Sequence, residues 1–277
     1  MYEVFLTAIV DDSSFGAACA VLSGLCGMRP WQNFQRVLYF HGPPRAGGMP
    51  NQAHMDKQPS RKDLIYLWKE IHQNLLRQSY VIQARYDVPK DRQAAPMDLL
   101  ATPGMLRWTD FPEPPHGRPM LTQRKKIEIW EQRNLPLVLR DNNYQFKTEI
   151  MEEVHRFYRD DVEFCLFRSY FLHPQHRYVS AESKTEQFLP LDSLPPLDSL
   201  VPIDMEKRWF LHVKTHVMSD NKPDDLRKAQ DQLLAIRAEL EGVFDFRSID
   251  RKVYDTRIAQ QAQGIQALPQ KVVIGKN

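Results

Sequence analysis

Two histidine pairs are the first residues in this chain that could do chemistry. His173 and His176 stand in the spacing H-x-x-H, and His212 and His216 share one face of an apolar segment. Imidazole nitrogens are frequent metal ligands. Zinc, however, takes three or four ligands from Cys, His and carboxylate side chains. Neither pair has a second strong pair near it in sequence, and Cys19, Cys26 and Cys165 are scattered. The histidines are expected to be loop and strand residues, and no metal is expected.

Covalent chemistry is signalled no better. No G-x-S-x-G elbow is present, and Cys19 and Cys26 fall on an apolar helical stripe, where a thiol acts as a small packing residue. No P-loop and no G-x-G-x-x-G occur, so no nucleotide cradle is indicated. Arg124, Lys125 and Lys126 form a short basic run, read as a solvated strand face. One enzymatic alternative remains. Small antiparallel tunnels bind triphosphates through inward acids and bases, often beginning with a strand E-x-E-x-K. Here the first strand offers Glu3, Phe5 and Thr7, so the second acid and the lysine are missing. Lys126 and Glu128 alternate on a later strand, but one pair cannot hold metals and a triphosphate. The interior is therefore expected to be structural, with no catalytic residue and no cofactor.

The bulk numbers fit this. The chain has 277 residues, 42% of them hydrophobic and 26% charged, an ordinary globular mix with enough apolar material for a sizeable core. Thirty-seven basic residues face 35 acidic ones, a formal net charge of +2, which argues against a dedicated nucleic-acid surface. The 3 cysteines make no disulfide framework and fit a reducing compartment. No signal peptide is read at the start, and the uncharged stretch from Ser13 to Met28 is too short to span a bilayer.

The elements that must position these residues are mostly strands. In YEVFLTAIV, Tyr2, Val4, Leu6, Ala8 and Val10 share one face, and Glu3, Phe5, Thr7 and Ile9 the other. Neither face looks solvated. Phe15, Ala18, Cys19, Leu22 and Cys26 form a helical stripe, with Asp12 or Ser13 as its cap and Gly24 or Gly27 as its end. Strands are read at FQRVLYFHG, SYVIQARYDV, MLRWTDF, LTQRKKIEIWEQ, VEFCLFRSYF, KRWFLHVKTHVM and VFDFRSID. The strand LTQRKKIEIWEQ has no clean face, so it lies at an edge or lines a wet interior. EIMEEVHRFYR fits helix or strand; strand is favoured because RDD at 159–161 resembles a hairpin turn. IYLWKEIHQNLLRQ is helical in pattern. The best helix follows Asp220 or Asn221, with Pro223 in its first turn, Leu226, Ala229, Leu233, Ile236 and Leu240 as its stripe, and Gly242 at its end. Loops are expected at 43–60, 89–103 and 173–204. The last contains LDSL twice, at 191–194 and 197–200, read as a Pro-rich surface loop with a docking peptide as the alternative. A loosely ordered Gln-rich tail, 259–277, follows a single domain, 1–258.

About eight strands and two well-signalled helices describe a mainly antiparallel β (α+β) protein. Strands of this number hide their edges in a barrel or a sandwich, and a closed or nearly closed barrel of about eight or more strands with flanking helices is the expected form because it accounts for both faces of the first strand. One face of the first strand would line its interior, and a packed helix or another protein would cover the other.

The stretches YEVFLTAIV, AACAVLSGLCGM, RWTDFPEPPHGRPMLTQRKKIEIWEQ, LRDNNYQFKTE and NKPDDLRKAQDQLLAIRAELEGVFDFRSIDRKVYDTR resemble the fungal form of subunit 18 of the Mediator of RNA polymerase II transcription. The resemblance runs to about Arg257. It implies a β-barrel with flanking helices and a nuclear, non-catalytic transcription coregulator in the Mediator head module. It also implies partners: Mediator subunit 20 as a second barrel, a C-terminal segment of Mediator subunit 8, other head subunits and, indirectly, RNA polymerase II and the initiation machinery. Neither membrane nor sequence-specific nucleic-acid binding is expected. Partner contacts are expected at partly exposed strand aromatics, for which Trp130 and Trp209 are the candidates, because Trp dominates binding hot spots.

Overall fold

The computed structural model describes residues 1–55, 62–89, 96–115, 117–172, 190–218 and 223–259. Among the described residues ten strands and four α-helices follow the chain in the order β1 (Tyr2–Val10), α1 (Phe15–Cys26), β2 (Trp31–His41), α2 (Lys62–Leu75), β3 (Val81–Val88), β4 (Gly104–Thr109), β5 (Thr122–Gln132), α3 (Leu135–Asp141), β6 (Gln145–Arg159), β7 (Val162–Phe171), β8 (Val201–Pro202), β9 (Trp209–Val217), α4 (Pro223–Glu239) and β10 (Phe246–Arg247). No described helix is long and apolar enough to cross a membrane.

Every strand pair is antiparallel, in the order β10-β1-β5-β4-β3-β2-β6-β7-β8. β9 pairs with both β1 and β7, which closes β1, β5, β4, β3, β2, β6, β7 and β9 into an eight-stranded barrel. The closing register runs from Tyr2 opposite Val217 to Val10 opposite Trp209. Two short strands are appended. β10 takes over the edge of β1 beyond β5, and β8 extends β7. A closed ladder leaves no free edge within the ring.

The apolar core lies outside the ring, between strands and helices. Val4, Leu6, Ala8 and Val10 are buried with Leu211 and Val213 beneath Ala18 and Leu22 of α1 and Leu233, Ile236 and Leu240 of α4. The protein's own helices, not a partner, thus cover the outer face of the first strand. On the far side Leu38, Ile82, Leu106, Trp108 and Ile127 pack under Leu64, Trp68 and Ile71 of α2 and Leu135, Val138 and Leu139 of α3.

The third side is covered by the Pro-rich segment. Leu191, Leu194, Leu197 and Leu200 pack with Phe34, Val88, Met151 and Tyr170. The segment therefore docks on its own barrel instead of standing as a solvated loop. A buried ion pair pins it: Arg36 Nη2 lies 2.6 Å from Glu149 Oε2. Arg36 also donates to the Leu191 carbonyl, and the Leu191 amide donates to Glu149.

Other expectations are corrected. The loop 43–60 is not wholly solvated: Met49 and Met55 are buried, and the Met49 amide donates to His72 Nδ1. Neither Asp12 nor Ser13 caps α1; Asp12 instead accepts from Trp209 and Arg168. VFDFRSID contributes two paired residues instead of a full strand. α3 is a helix that the sequence reading passed over. EIMEEVHRFYR is strand, as favoured, and the turn at Asp160 has φ of 53°. The proposed α4 caps Asp220 and Asn221, and the tail from residue 260, lie outside the described residues.

Candidate functional site: a charged barrel lumen

Alternation within each strand sends the side chains opposite the apolar face into the lumen. Glu3, Arg85, Arg107, Arg124, Glu152, Arg156 and Lys214 line one cavity of about 360 Å³, and Lys126, Glu128 and Glu163 join Arg85, Arg107, Arg156 and Lys214 around a second of about 170 Å³. Arg124 and Lys126 therefore point inward, at 9% and 3% exposure, and the solvated-face reading of that basic run is corrected. The wet-interior reading of the same strand holds.

The carboxylates are held by neighbouring cations. Arg124 donates to Glu3 Oε1 through Nε at 2.9 Å and Nη2 at 2.8 Å. Arg107 and Lys126 each lie 3.3 Å from Glu3 Oε2. Glu128 pairs with Lys126 at 3.2 Å and with Arg107 at 3.6 Å. Glu163 sits between Arg156 and Lys214, both at 3.2 Å. Arg85 bonds Glu152 and, at 2.9 Å, Gln35.

These contacts set the titration of the site. Burial pushes the Glu3 carboxyl up, but Arg124, Lys126, Arg107 and Lys214 together outweigh it and hold the group well below the usual carboxylate range. Glu128 is lowered by the same balance, with Lys126 and Arg107 prevailing over burial. Burial pulls Lys214 down, but Cys165, Glu163 and Glu3 more than compensate and raise it. His212 lies opposite Thr7, and burial with the nearby Lys214 drives it down to about 3, so it is neutral. His216 is lowered for the same two kinds of reason, burial first and then Lys126.

The two mouths differ. At one, the segment after β10 folds across the opening. Tyr254 Oη and Thr7 Oγ1 are 3.2 Å apart, the Val81 amide donates to the Thr256 carbonyl at 2.6 Å, and the Ile258 amide donates to Ser79 at 2.8 Å. At the other, Trp31, Trp130 and Tyr158 ring the entrance at 60%, 52% and 39% exposure.

The structure separates the two tryptophan candidates. Trp130 stands at this open rim. Trp209 is 2% exposed, stacked on Phe15 at 4.1 Å and donating through Nε1 to Asp12 at 3.1 Å. The premise of a partly exposed aromatic fails for Trp209. His212 and His216 share the lumen face, while His173 and His176 lie outside the described residues. Among the described residues no group of three or more His, Cys, Asp and Glu is placed to hold a metal. Cys19 and Cys26 pack against the outer core, as read from their stripe. The sequence reading missed Arg85, Arg107, Glu152, Arg156, Glu163 and Lys214 as lumen residues. Their period-two placement opposite each strand's apolar face was the available signal.

A closed antiparallel barrel with its apolar core outside and paired charges inside defines a tunnel-type barrel protein. The family model described as Med18 protein matches residues 2–257, and the chain belongs to that family. Its fold is similar to that of a chain in the structure of the Schizosaccharomyces pombe Mediator head module, with 15% identity and a TM-score of 0.59 over 90% of this chain and 99% of that one. Weaker likenesses include the PH1819 protein of Pyrococcus horikoshii OT3, with 13% identity and a TM-score of 0.42 over 90% of this chain and 94% of that one. A protein from Hippeastrum described as a putative adenylyl cyclase with a dominant triphosphatase activity has 8% identity and a TM-score of 0.39 over 91% of this chain and 93% of its own. No curated protein matches the chain significantly by sequence.

Proposed function

We propose that this chain is a non-catalytic structural and regulatory subunit of the Mediator head module, a nuclear transcription coregulator that links regulators to RNA polymerase II. The observation that carries this reading is the Med18 match over residues 2–257, which takes in the whole ring and the segment that closes one mouth. The lumen supports the non-catalytic part. A general base or metal ligand must be available to its substrate or ion. Here Glu3, Glu128, Glu152 and Glu163 are each engaged by an arginine or lysine. The triphosphate-hydrolysing alternative lacks the second acid and the lysine on β1.

In this reading the partners are Mediator subunit 20, as a heterodimer, the C-terminal segment of subunit 8 and other head subunits. Contact with RNA polymerase II and the initiation machinery is indirect. Trp130 serves as a direct contact, while Trp209 acts from beneath the surface by holding Asp12, Phe15 and Arg168. Co-expression with subunit 20 and the subunit 8 segment, followed by light scattering, tests the proposal. One copy of each in a stable particle is expected. A monomer that ignores both would overturn it.

A further inference from the structure

The two lumen cavities share four lining residues: Arg85, Arg107, Arg156 and Lys214. They come from β3, β4, β6 and β9 and meet where the cavities adjoin. All four are cations, and no carboxylate lines both cavities. With Arg124 and Lys126, six cations line the lumen against Glu3, Glu128, Glu152 and Glu163. Asp255 at one rim is bound by Arg257, and Asp87 at the other accepts from the neutral Asn33 and Gln35 and so keeps its charge, which leaves six cations against five carboxylates.

Several contacts within this ring are slack. Arg156 and Lys214 divide Glu163 at 3.2 Å each, and Arg107 reaches Glu3 at 3.3 Å, whereas a tight charge-assisted bond is about 2.7–2.9 Å. The buried Nε of Arg85 has no hydrogen-bond acceptor, and that of Arg107 faces Glu128 at 3.6 Å, beyond hydrogen-bond distance. Buried donors are nearly always satisfied, and three of the four waist cations share their carboxylates: Arg156 and Lys214 share Glu163, and Arg107 shares Glu3 with Arg124 and Lys126. Arg85 itself is 7% exposed.

We propose that this four-cation waist binds one polyvalent oxyanion of the phosphate class. Guanidinium groups match the geometry of phosphate oxygens, and the Nε–H groups of Arg85 and Arg107, neither of which makes a hydrogen bond within the protein, supply donors. The proposal concerns binding alone and does not depend on which complex the chain joins.

Inorganic pyrophosphate is titrated into the full chain in a chloride buffer of low ionic strength, with arginine Nε–H signals followed by NMR. Saturable one-to-one binding that shifts the Arg85 and Arg107 signals and weakens with added salt is expected. Arg156→Gln and Lys214→Gln each weaken it about tenfold or more, while Lys228→Gln on the exposed side of α4 leaves it unchanged. A nucleoside diphosphate arm distinguishes a free oxyanion from a phosphate ester: equal affinity points to the former, tighter affinity to the latter. No saturation at millimolar pyrophosphate overturns the site. So does binding that leaves both Nε–H signals unmoved, a readout that holds even where the substituted chains fail to fold. Equal loss in Lys228→Gln would show binding to the outer surface instead.

Discussion

The two faces of β9 have opposite surroundings. Trp209, Leu211, Val213, Thr215 and Val217 point outward and are buried, the first three in the core beneath α1 and α4, while His212, Lys214 and His216 point into a charged tunnel. Most of this protein's hydrophobic stabilisation therefore lies outside its barrel. Apolar burial contributes about 25 cal/mol per Å², whereas buried ion pairs roughly cancel their own desolvation. The ring closes by backbone pairing, and its lumen is left free to carry charge.

The largest effect that tests this contrast is in the outer core. Trp108 is fully buried and meets Tyr80 edge-on at 5.3 Å, under α2. Trp108→Ala is expected to cost about 3–5 kcal/mol in urea unfolding. A loss below about 1 kcal/mol would mean that the helix-covered layer is not the core.

The lumen should announce itself through pH instead. His212 titrates at about 3 when folded, because burial and Lys214 oppose its charge. The unfolded chain takes up that proton near pH 6.5. Between these values the unfolded state binds more protons, so stability falls as pH drops below about 6.5, at about 1.4 kcal/mol per unit. Glu3 acts in the same direction but in a lower window. Its folded pKa is depressed, so its stabilisation is intact above the ordinary carboxylate range and is lost only at lower pH. From pH 6.5 to 5, wild type should lose about 1.6 kcal/mol more than His212→Gln. Parallel losses in the two proteins would show that His212 is not held neutral in the fold.

Much of the ring was legible because period-two alternation is clear in strands such as β3 and β9, and because the stripes of α1 and α4 are complete; β5 and β6, without a clean alternation, were read from their neighbours and from the turn between β6 and β7. Closure was inferred from strand number, and the pairing that achieves it joins β1 to β9, about two hundred residues apart, which no local pattern can indicate. α3 is seven residues long and begins at Leu135 and Pro136 after Asn134 in a left-handed turn, φ 55°, so it offered too few turns for a stripe. Leu191, Leu194, Leu197 and Leu200 recur every third residue, a spacing outside the helix and strand templates, and so their shared packing was missed. Glu3, Lys126 and Glu128 were visible as alternating charges. For the remaining lumen residues period two gave the polar face but not its surroundings, since the polar face of a lumen strand carries the same residue types as the solvated face of a surface strand.

The smallest effect on folding separates the two tryptophans read as partner contacts. Trp209 is wedged among Phe15, Asp12 and Arg168, so its removal would damage the fold before it could report on a partner. Trp130 is 52% exposed on β5, beside Trp31 and Tyr158 at the open mouth. A surface substitution there changes stability by no more than about 0.5 kcal/mol. A buried interface tryptophan, by contrast, costs about 2 kcal/mol or more of binding energy when truncated. Trp130→Ala should therefore unfold at the wild-type urea midpoint yet weaken assembly with subunit 20 and the subunit 8 segment by about thirtyfold. Titrating each component separately would show which one the rim meets. Unchanged affinity for both would remove the aromatic rim from the partner surface and leave it as the doorway to the lumen.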